Sequence, residues 1–434
     1  MYSIKNVVNN LLEKIILSHK EEFDLKRTEP YVKRDAQIKG SDSGLIHVIL
    51  GPRRAGKSFF CIHSMDQTEP IGYVNFDDER LTEVTDFDAV MDAVNIVYDH
   101  PKVLLFDEIQ NVPNWELIVN RLQRQGYRLF LTGSNSKLLS RELSTHLTGR
   151  HLATTIFPFS FRELQHLPNE KEPSGTERHK CMEYLKRGGF PELWINRIDF
   201  PEYLRSLFDS ILFRDIVKRH KIRDSAALYN LALYLVSNIA GDFSYQALSK
   251  HLSFRSVITT QKYISFLEEA FLLFTIHRFS YKVREQISAN KKIYTYDNGF
   301  YQANAHRFSS DTGKLYENAV AIELKRRETE NGSKLFYWKN EKHEEVDFVV
   351  QQGIEVVSLI QVCYDLSGEK VKNREIRSLL KAGEALHCKE LFIISDQYEG
   401  VEEAEWFGLN GSVKFIPLCK FLLMRNEESI KNYE

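Results

Sequence analysis

The 434-residue sequence has little of what would place it in a special class. It has only five cysteines, Cys61, Cys181, Cys363, Cys388 and Cys419, scattered with no C-x-x-C pair. That excludes a disulfide scaffold and a thiolate zinc site, and the expectation is reduced thiols in the cytoplasm. Eleven prolines and 21 glycines are too few for a collagenous or low-complexity chain. No apolar run approaches the roughly 20 residues of a membrane span, so no membrane partner is expected. The N-terminal stretch MYSIKNVVNNLLEKIILSHKEEF carries Val7, Val8, Leu11, Leu12, Ile15 and Ile16 at helical spacing, interrupted by Asn, Glu and Lys. That pattern predicts an amphipathic helix, not a signal peptide. The formal net charge is −2, so there is no global basic signature, and any nucleic-acid surface has to be local.

What is present is a globular composition, 43% hydrophobic and 27% charged, on a chain long enough for two or three domains. The strongest local signal is 45-LIHVILGPRRAGKSFF-60. An apolar strand runs into Gly51-Pro52-Arg53-Arg54-Ala55-Gly56-Lys57-Ser58, and an apolar helix begins at Phe59. This is G-x-x-x-x-G-K-S in a strand–loop–helix setting, the Walker A phosphate loop. Its glycines let backbone N–H groups turn toward phosphate oxygens, and the helix N-terminus adds a positive dipole end. Lys57 is expected on the β- and γ-phosphates of ATP and Ser58 on Mg²⁺.

At 101-PKVLLFDEIQNV-112, four apolar residues precede Asp107-Glu108. Acids at the C-terminal end of a buried parallel strand form a Walker B arrangement, because α/β sheets bind ligands at that end. Asp107 is expected to hold Mg²⁺ through water and Glu108 to orient the attacking water. A third strand, 127-YRLFLTGSNSKLL-139, ends in a polar cluster, Thr132, Ser134 and Asn135. The strand 71-IGYVNFDDERL-81 also ends in acids, Asp77 and Asp78, which could equally cap the helix that follows.

Together GPRRAGKS, YVNFDDERL, LLFDEIQNVPNWE, LTGSNSKLLS, LTGR and FPFSFREL occur in this order. The chain resembles the AAA-type P-loop ATPases of archaea and bacteria, relatives of signalling ATPases, whose chains end in a domain of poorly known function. The resemblance spans nearly the whole chain and is tightest over residues 45–165. It implies that a polar residue at the end of the 127–139 strand lies between the two Walker motifs and senses the γ-phosphate, with Ser134 or Asn135 as the candidates and Thr132 a weaker one. It makes Arg150 of Thr148-Gly149-Arg150 a candidate arginine finger or sensor, with a plain surface arginine as the alternative. It also makes Pro191, in 187-RGGFPELW-194, a candidate for the adenine or ribose side or else a structural turn.

Residues 241–297 read as helix, turn, helix and two strands, a winged-helix pattern. Ser244 is an N-cap, and Ile264 and Leu267 face inward. The second helix presents Thr259, Gln261, Lys262 and Ser265, and the hairpin carries Arg278, Lys282, Arg284, Lys291 and Lys292. These suit phosphate and groove contacts with double-stranded DNA; the alternative is a packing lid.

From residue 312 the order is helix, three strands, helix and strand, which resembles the PD-(D/E)xK nuclease fold. In that family an Asp and a Glu hold Mg²⁺ and a Lys activates water. The corresponding positions here are Glu317 or Glu323 on the helix, Asp347 in EVDFVV, and Gln361-Val362-Cys363 in 356-VVSLIQVCYDLS-367. Gln361 offers only a neutral carbonyl and Cys363 no ammonium, and no lysine replaces it within that segment. A degenerate nuclease site on a retained scaffold is expected.

The expected architecture is therefore α/β, with an N-terminal helical lead (1–40), a parallel-sheet ATPase core (41–200), a helical and winged-helix segment (201–310) and a nuclease-like domain (311–434). The expected function is Mg²⁺-dependent ATP binding and hydrolysis that drives or gates a conformational change, with a homo-oligomer if Arg150 acts on a neighbour. The alternatives are a slow nucleotide switch and an ATP-gated nuclease.

Overall fold

The computed structural model describes residues 2–40, 43–66, 68–82, 84, 86–136, 149–167, 176–196, 198–304 and 311–425. The chain divides into two compact units, Met1–Phe157 and Pro158–Glu434.

The first unit is built on a five-stranded sheet in the order β2-β3-β4-β1-β5. Its strands are β1 (Ile46–Leu50), β2 (Ile71–Asn75), β3 (Val103–Asp107), β4 (Arg128–Gly133) and β5 (His151–Thr155). All four pairings are parallel. Parallel strands with both faces covered read as continuous apolar runs, and β1 and β3 are buried at every position. The one polar residue inside β1, His47, stacks on Phe130 at 4.8 Å, and burial lowers its pKa. Helices α2 (Lys57–Ser64), α3 (Phe87–Tyr98) and α4 (Trp115–Arg124) connect the strands. In this order β4 lies between β1 and β3.

The N-terminal helix α1 (Tyr2–Thr28) forms where the apolar spacing predicts it. Leu12, Ile15, Ile16 and Phe23 are buried, while Leu11 is exposed. His19, buried on the same face, pairs with Asp78 at 2.9 Å. Asp78 also accepts the backbone N–H of Arg80, so it caps the short 3-10 turn Glu79–Leu81. Asp77 instead meets Arg53 of the phosphate loop at 3.3 Å.

After the short helix Phe161–Leu164, the second unit carries helices α5 (Glu177–Arg187), α6 (Phe200–Ser210) and α7 (Ser225–Ser237); α6 continues as a π-helical stretch, Ile211–Lys218. Then come β6 (Asp242–Phe243), α8 (Tyr245–His251), α9 (Val257–Glu269), β7 (Leu273–Arg278) and β8 (Lys291–Thr295). Ser244 caps α8 by accepting from Ala247 N, and Ile264 and Leu267 are fully buried. The stretch between β7 and β8 contains a short helix, Val283–Ser288.

After the short helix Asn298–Asn304 come α10 (Thr312–Asn331), β9 (Lys334–Lys339), β10 (Glu345–Gln352), β11 (Glu355–Val362), α11 (Glu369–Leu386), β12 (Leu391–Ser395), β13 (Gly400–Trp406) and β14 (Leu409–Pro417), and the helix Leu418–Leu423 follows. The strands from residue 242 onward form one nine-stranded mixed sheet, β13-β14-β12-β11-β10-β9-β7-β8-β6. The join is a short parallel pairing, His277 with Phe336 and Arg278 with Tyr337. The segments expected to part at residue 310 therefore share a sheet. The terminal hairpin β13–β14 has no counterpart in the pattern read from sequence; its outer strand alternates exposed and half-buried residues and carries little apolar signal.

Candidate functional site

The phosphate loop takes its shape from three backbone conditions. Gly51 has φ +147°, and a Cβ there would lie 1.9 Å from the Ile156 carbonyl oxygen. Gly56 sits in the left-handed region at φ +89° directly before α2. Arg54 also has positive φ, +67°. The first bond at the start of α2 is Phe60 N–H to Gly56 O, so the N–H groups of Lys57, Ser58 and Phe59 precede the helix's own ladder. A helix start of this kind suits a polyphosphate.

Four side chains converge beside it. The Lys57 ammonium is buried and donates to Pro52 O at 3.0 Å and Gly51 O at 3.3 Å, with Glu108 Oε1 at 3.5 Å. Ser58 Oγ donates to Asp107 Oδ2 at 2.6 Å. Asp107 also accepts from Tyr73 OH at 3.1 Å and from Thr132 Oγ1. Thr132 Oγ1 in turn accepts Glu108 N–H at 3.0 Å. Glu108 Oε2 accepts from Ser134 Oγ at 3.1 Å and from Gln110 Nε2. Burial by itself would raise the Glu108 carboxyl; the Lys57 charge and the Gln110 hydrogen bond outweigh it and hold the group below the ordinary carboxylate range. The hydroxyl and carboxylate of Ser58 and Asp107 are hard oxygen donors that fit Mg²⁺ beside a bound phosphate.

Sequence reasoning named every centre of this cluster except two supporting groups, Tyr73 and Gln110. Tyr73 hides because an aromatic residue in a buried strand reads as core. Asn135 is buried next to Ser134 at the end of β4. Arg150 is not brought to the loop. It lies exposed just before β5, where its carbonyl accepts Ile46 N–H at the start of β1. The loop follows the other end of β1, about 13 Å away along the strand. Thr148 lies outside the described residues. Pro191 opens the buried short helix Pro191–Ile195 in the second unit.

In the second unit Gln261, Lys262 and Ser265 of α9 are exposed, as are Lys282 and Arg284, while Thr259 and Arg278 are half-buried. Lys291 donates to Tyr245 OH at 2.7 Å. Lys292, read with the surface set, is instead 3% exposed. Its ammonium meets Glu345 Oε1 at 2.7 Å, Asp347 Oδ1 at 2.8 Å and Glu317 Oε1 at 3.0 Å. The expected nuclease-like positions do come together, but with different chemistry. Gln361 Oε1 accepts Asp347 N–H at 3.1 Å and its Nε2 donates to Glu375 Oε2 at 2.8 Å. Cys363 lies just past β11, half-buried, its thiol pushed up to about 11 chiefly by burial. Glu323 turns elsewhere, to Arg327 at 3.2 Å and Arg162 at 3.4 Å. Sequence reasoning set Lys292 among the surface cations and missed Tyr294, Glu345 and Glu375. The available signal was alternation: Lys292 and Tyr294 share one strand face, and so do Glu345 and Asp347.

Comparison with known proteins agrees with the geometry of the first unit. Residues 43–165 match a family model described as an AAA domain, the nucleotide-binding ATPase type of fold. Residues 178–311 and 312–420 match two models, each described as a domain of unknown function (DUF8612 and DUF4143). The Uncharacterized protein MJ1544 of Methanocaldococcus jannaschii is 34% identical over 434 residues, covering 95% of each chain. An Uncharacterized protein of Haemophilus influenzae is 30% identical over 390 residues, 86% of this chain and 94% of that one. A solved structure of the replication initiator DnaA bound to AMPPCP and single-stranded DNA is similar over 55% of this chain and 90% of that one, at 14% identity and a TM-score of 0.25. Among the described residues no helix is long and apolar enough to cross a membrane. The chain carries an AAA domain at residues 43–165 and belongs to the family of MJ1544 and the Haemophilus influenzae protein.

Proposed function

We propose that the first unit binds and hydrolyses Mg²⁺-ATP, and that the cycle drives or gates rearrangement of the rest of the chain. The observation that carries this is the convergence of Lys57, Ser58, Asp107 and Glu108: Lys57 meets Glu108 at 3.5 Å, Ser58 meets Asp107 at 2.6 Å, and the Thr132 hydroxyl donates to Asp107 while accepting Glu108 N–H at 3.0 Å. Lys57 and the N–H groups of the loop bind the β- and γ-phosphates. Ser58 and Asp107 would hold Mg²⁺, which supplies charge neutralisation when bound. Glu108 orients the attacking water, and Ser134 fixes Glu108. Rate acceleration comes from positioning and electrostatic stabilisation. Since Arg150 stands at the far end of β1 from the loop, a finger role for it acts on a neighbouring copy, in a homo-oligomer.

The test is steady-state ATP turnover with and without Glu108→Gln. Loss of turnover with nucleotide binding retained is expected; equal turnover in the variant would remove Glu108 from the reaction. One observation favours a slow switch as the second reading: the Glu108 carboxylate is already engaged by Ser134, Gln110 and Lys57. Tight binding with hardly any turnover in the unaltered chain would decide for it.

The order β6–α8–α9–β7–β8 supports a winged helix that contacts duplex DNA through Gln261, Lys262, Lys282 and Arg284, with Thr259 and Arg278 at its margin. Binding that falls steeply with salt is the expected result; no binding at low salt would leave this segment as a packing element. The strand and helix order after residue 311 supports a nuclease-like scaffold in a binding or regulatory role.

A further inference from the structure

The second unit holds a cluster that nothing in the ATP cycle uses. Three carboxylates from two elements, Glu317 on α10 and Glu345 and Asp347 on β10, converge on one ammonium, that of Lys292 on β8. In sheet order β8 and β10 are three strands apart. In a flat sheet they would stand roughly 14 Å from each other. The sheet therefore curls so that β8 faces β10, and Tyr294 packs on Phe348 with ring centroids 5.7 Å apart. The β9–β10 ladder breaks between Val346 and Val349, at the point where Asp347 turns to the lysine.

The donor set does not fit a divalent metal as it stands. Asp347 and Glu317 are the two positions where a nuclease-like fold keeps its metal ligands, and each gives an oxygen to Lys292. The second oxygen of Asp347 accepts Val362 N–H at 2.9 Å. Glu317 Oε1 also accepts from Tyr294 OH at 2.8 Å. Gln361 is tied to Asp347 N–H and to Glu375, and Glu345 Oε2 pairs with Lys339 at 2.9 Å. Among the described residues no group of three or more His, Cys, Asp or Glu side chains could hold a metal ion. The three protons of the Lys292 ammonium have three carboxylate partners at 2.7–3.0 Å.

We propose that Lys292 is the resident cation of this centre: its ammonium fills the place a divalent metal takes in nuclease-like folds. The centre is then closed to metal and serves as an ionic clasp that ties the strand at 291–295 to the strand at 345–352 and to the helix at 312–331. Position 363 holds no lysine, and the ammonium of the centre comes instead from a distant strand. A metal-bound lysine site needs an ammonium beside the metal, whereas this site has the ammonium between the metal ligands. Burial opposes the charge on Lys292, but Asp347 and Glu317 hold its pKa well above the ordinary lysine value. The inference does not depend on ATP hydrolysis by the first unit.

The clasp conceals a cation site that one substitution opens. Carboxylate oxygens 2.7–3.0 Å from a common point need to close by only a few tenths of an ångström to reach the 2.3–2.6 Å of calcium coordination. The test is Tb³⁺ luminescence sensitised by Tyr294, together with thermal unfolding in Ca²⁺, on the full nucleotide-free chain. The unaltered protein should bind no Tb³⁺ saturably at this centre and gain no thermal protection from millimolar Ca²⁺. Lys292→Ala should gain one saturable site and a Ca²⁺-dependent rise in Tm of about 2 °C or more. Lys292→Ala with Asp347→Asn should lose both. Where Lys292→Ala does not fold without metal, recovery of folding in Ca²⁺ is the same result. Saturable binding in the unaltered chain that Asp347→Asn removes would overturn the proposal. So would a Lys292→Ala chain that gains neither a bound cation nor protection, whether folded or not.

Discussion

Ser58 Oγ and Asp107 Oδ2 stand 2.6 Å apart, joining the first turn of the helix after the phosphate loop to the end of β3. Asp107 does not rely on that bond alone, since Tyr73 and Thr132 hold it as well. Ser58→Ala should therefore leave stability within about 1 kcal/mol of the unaltered chain. Its Mg²⁺-dependent ATP turnover should fall at least tenfold. Urea melts and a Mg²⁺ titration of turnover check the two halves. An unchanged Mg²⁺ dependence would remove Ser58 from the metal.

Gly51→Ala tests the loop's backbone. The added Cβ would meet the Ile156 carbonyl oxygen at 1.9 Å, and the φ of +147° is one that L side chains rarely adopt. A loss of about 2–4 kcal/mol in urea unfolding is expected. Gly44→Ala, whose Cβ meets nothing within 4 Å, is the control and should change little.

Asp297 makes stability depend on pH. Burial lifts its carboxyl to about 7, against the backbone N–H groups of Gly189 at 2.6 Å and Gly299 at 2.8 Å. The folded chain thus keeps a proton that the unfolded chain releases near pH 4. This group's contribution is full below about pH 4 and is lost as the pH rises through about 7. Asp297→Asn cannot titrate, so the difference between the two proteins should move in the variant's favour between pH 4 and pH 8. The expected change is on the order of 2–4 kcal/mol. Denaturant melts across that range measure it, and a constant difference would assign Asp297 an ordinary pKa.

Gln361→Glu puts back the carboxylate that a nuclease-like site would have. Here it would face the buried Glu375 carboxyl, which now accepts from the Gln361 amide and whose pKa burial already raises. At pH 7.5 the variant should lose about 2–4 kcal/mol, with part recovered at pH 5 as the pair takes up a proton. No metal binding should appear while Lys292 remains. A variant as stable as the parent at pH 7.5 would show that the amide is not needed as a donor.

The nucleotide site was legible because its chemistry is local. Gly51 to Ser58 is one loop, and Asp107-Glu108 ends one apolar strand, so spacing alone identifies them. Thr132 and Ser134 followed from the polar end of the next strand. Tyr73 did not, since its OH matters only once β2 lies beside β3. The C-terminal site was half legible. Asp347, Gln361 and Glu317 fell into place by pattern, and the pattern also showed that no lysine followed Gln361. It placed Lys292 with surface cations, because a lysine beside a second lysine in a strand reads as solvated until the strand's neighbours are known.

The sequence by itself determined the parallel-sheet core, the phosphate loop, the acids that face it and the amphipathic lead helix. These rest on periodicities of two and 3.6 residues and on motifs a few residues long. Only the tertiary structure decided which charges meet. It set Arg150 at the far end of β1 from the loop. It joined the 242–295 and 334–417 strands into one sheet. It carried Lys292 to carboxylates 25 and 55 residues away. Electrostatic partnership depends on distance in space, and at these separations the chain's own order does not fix that distance.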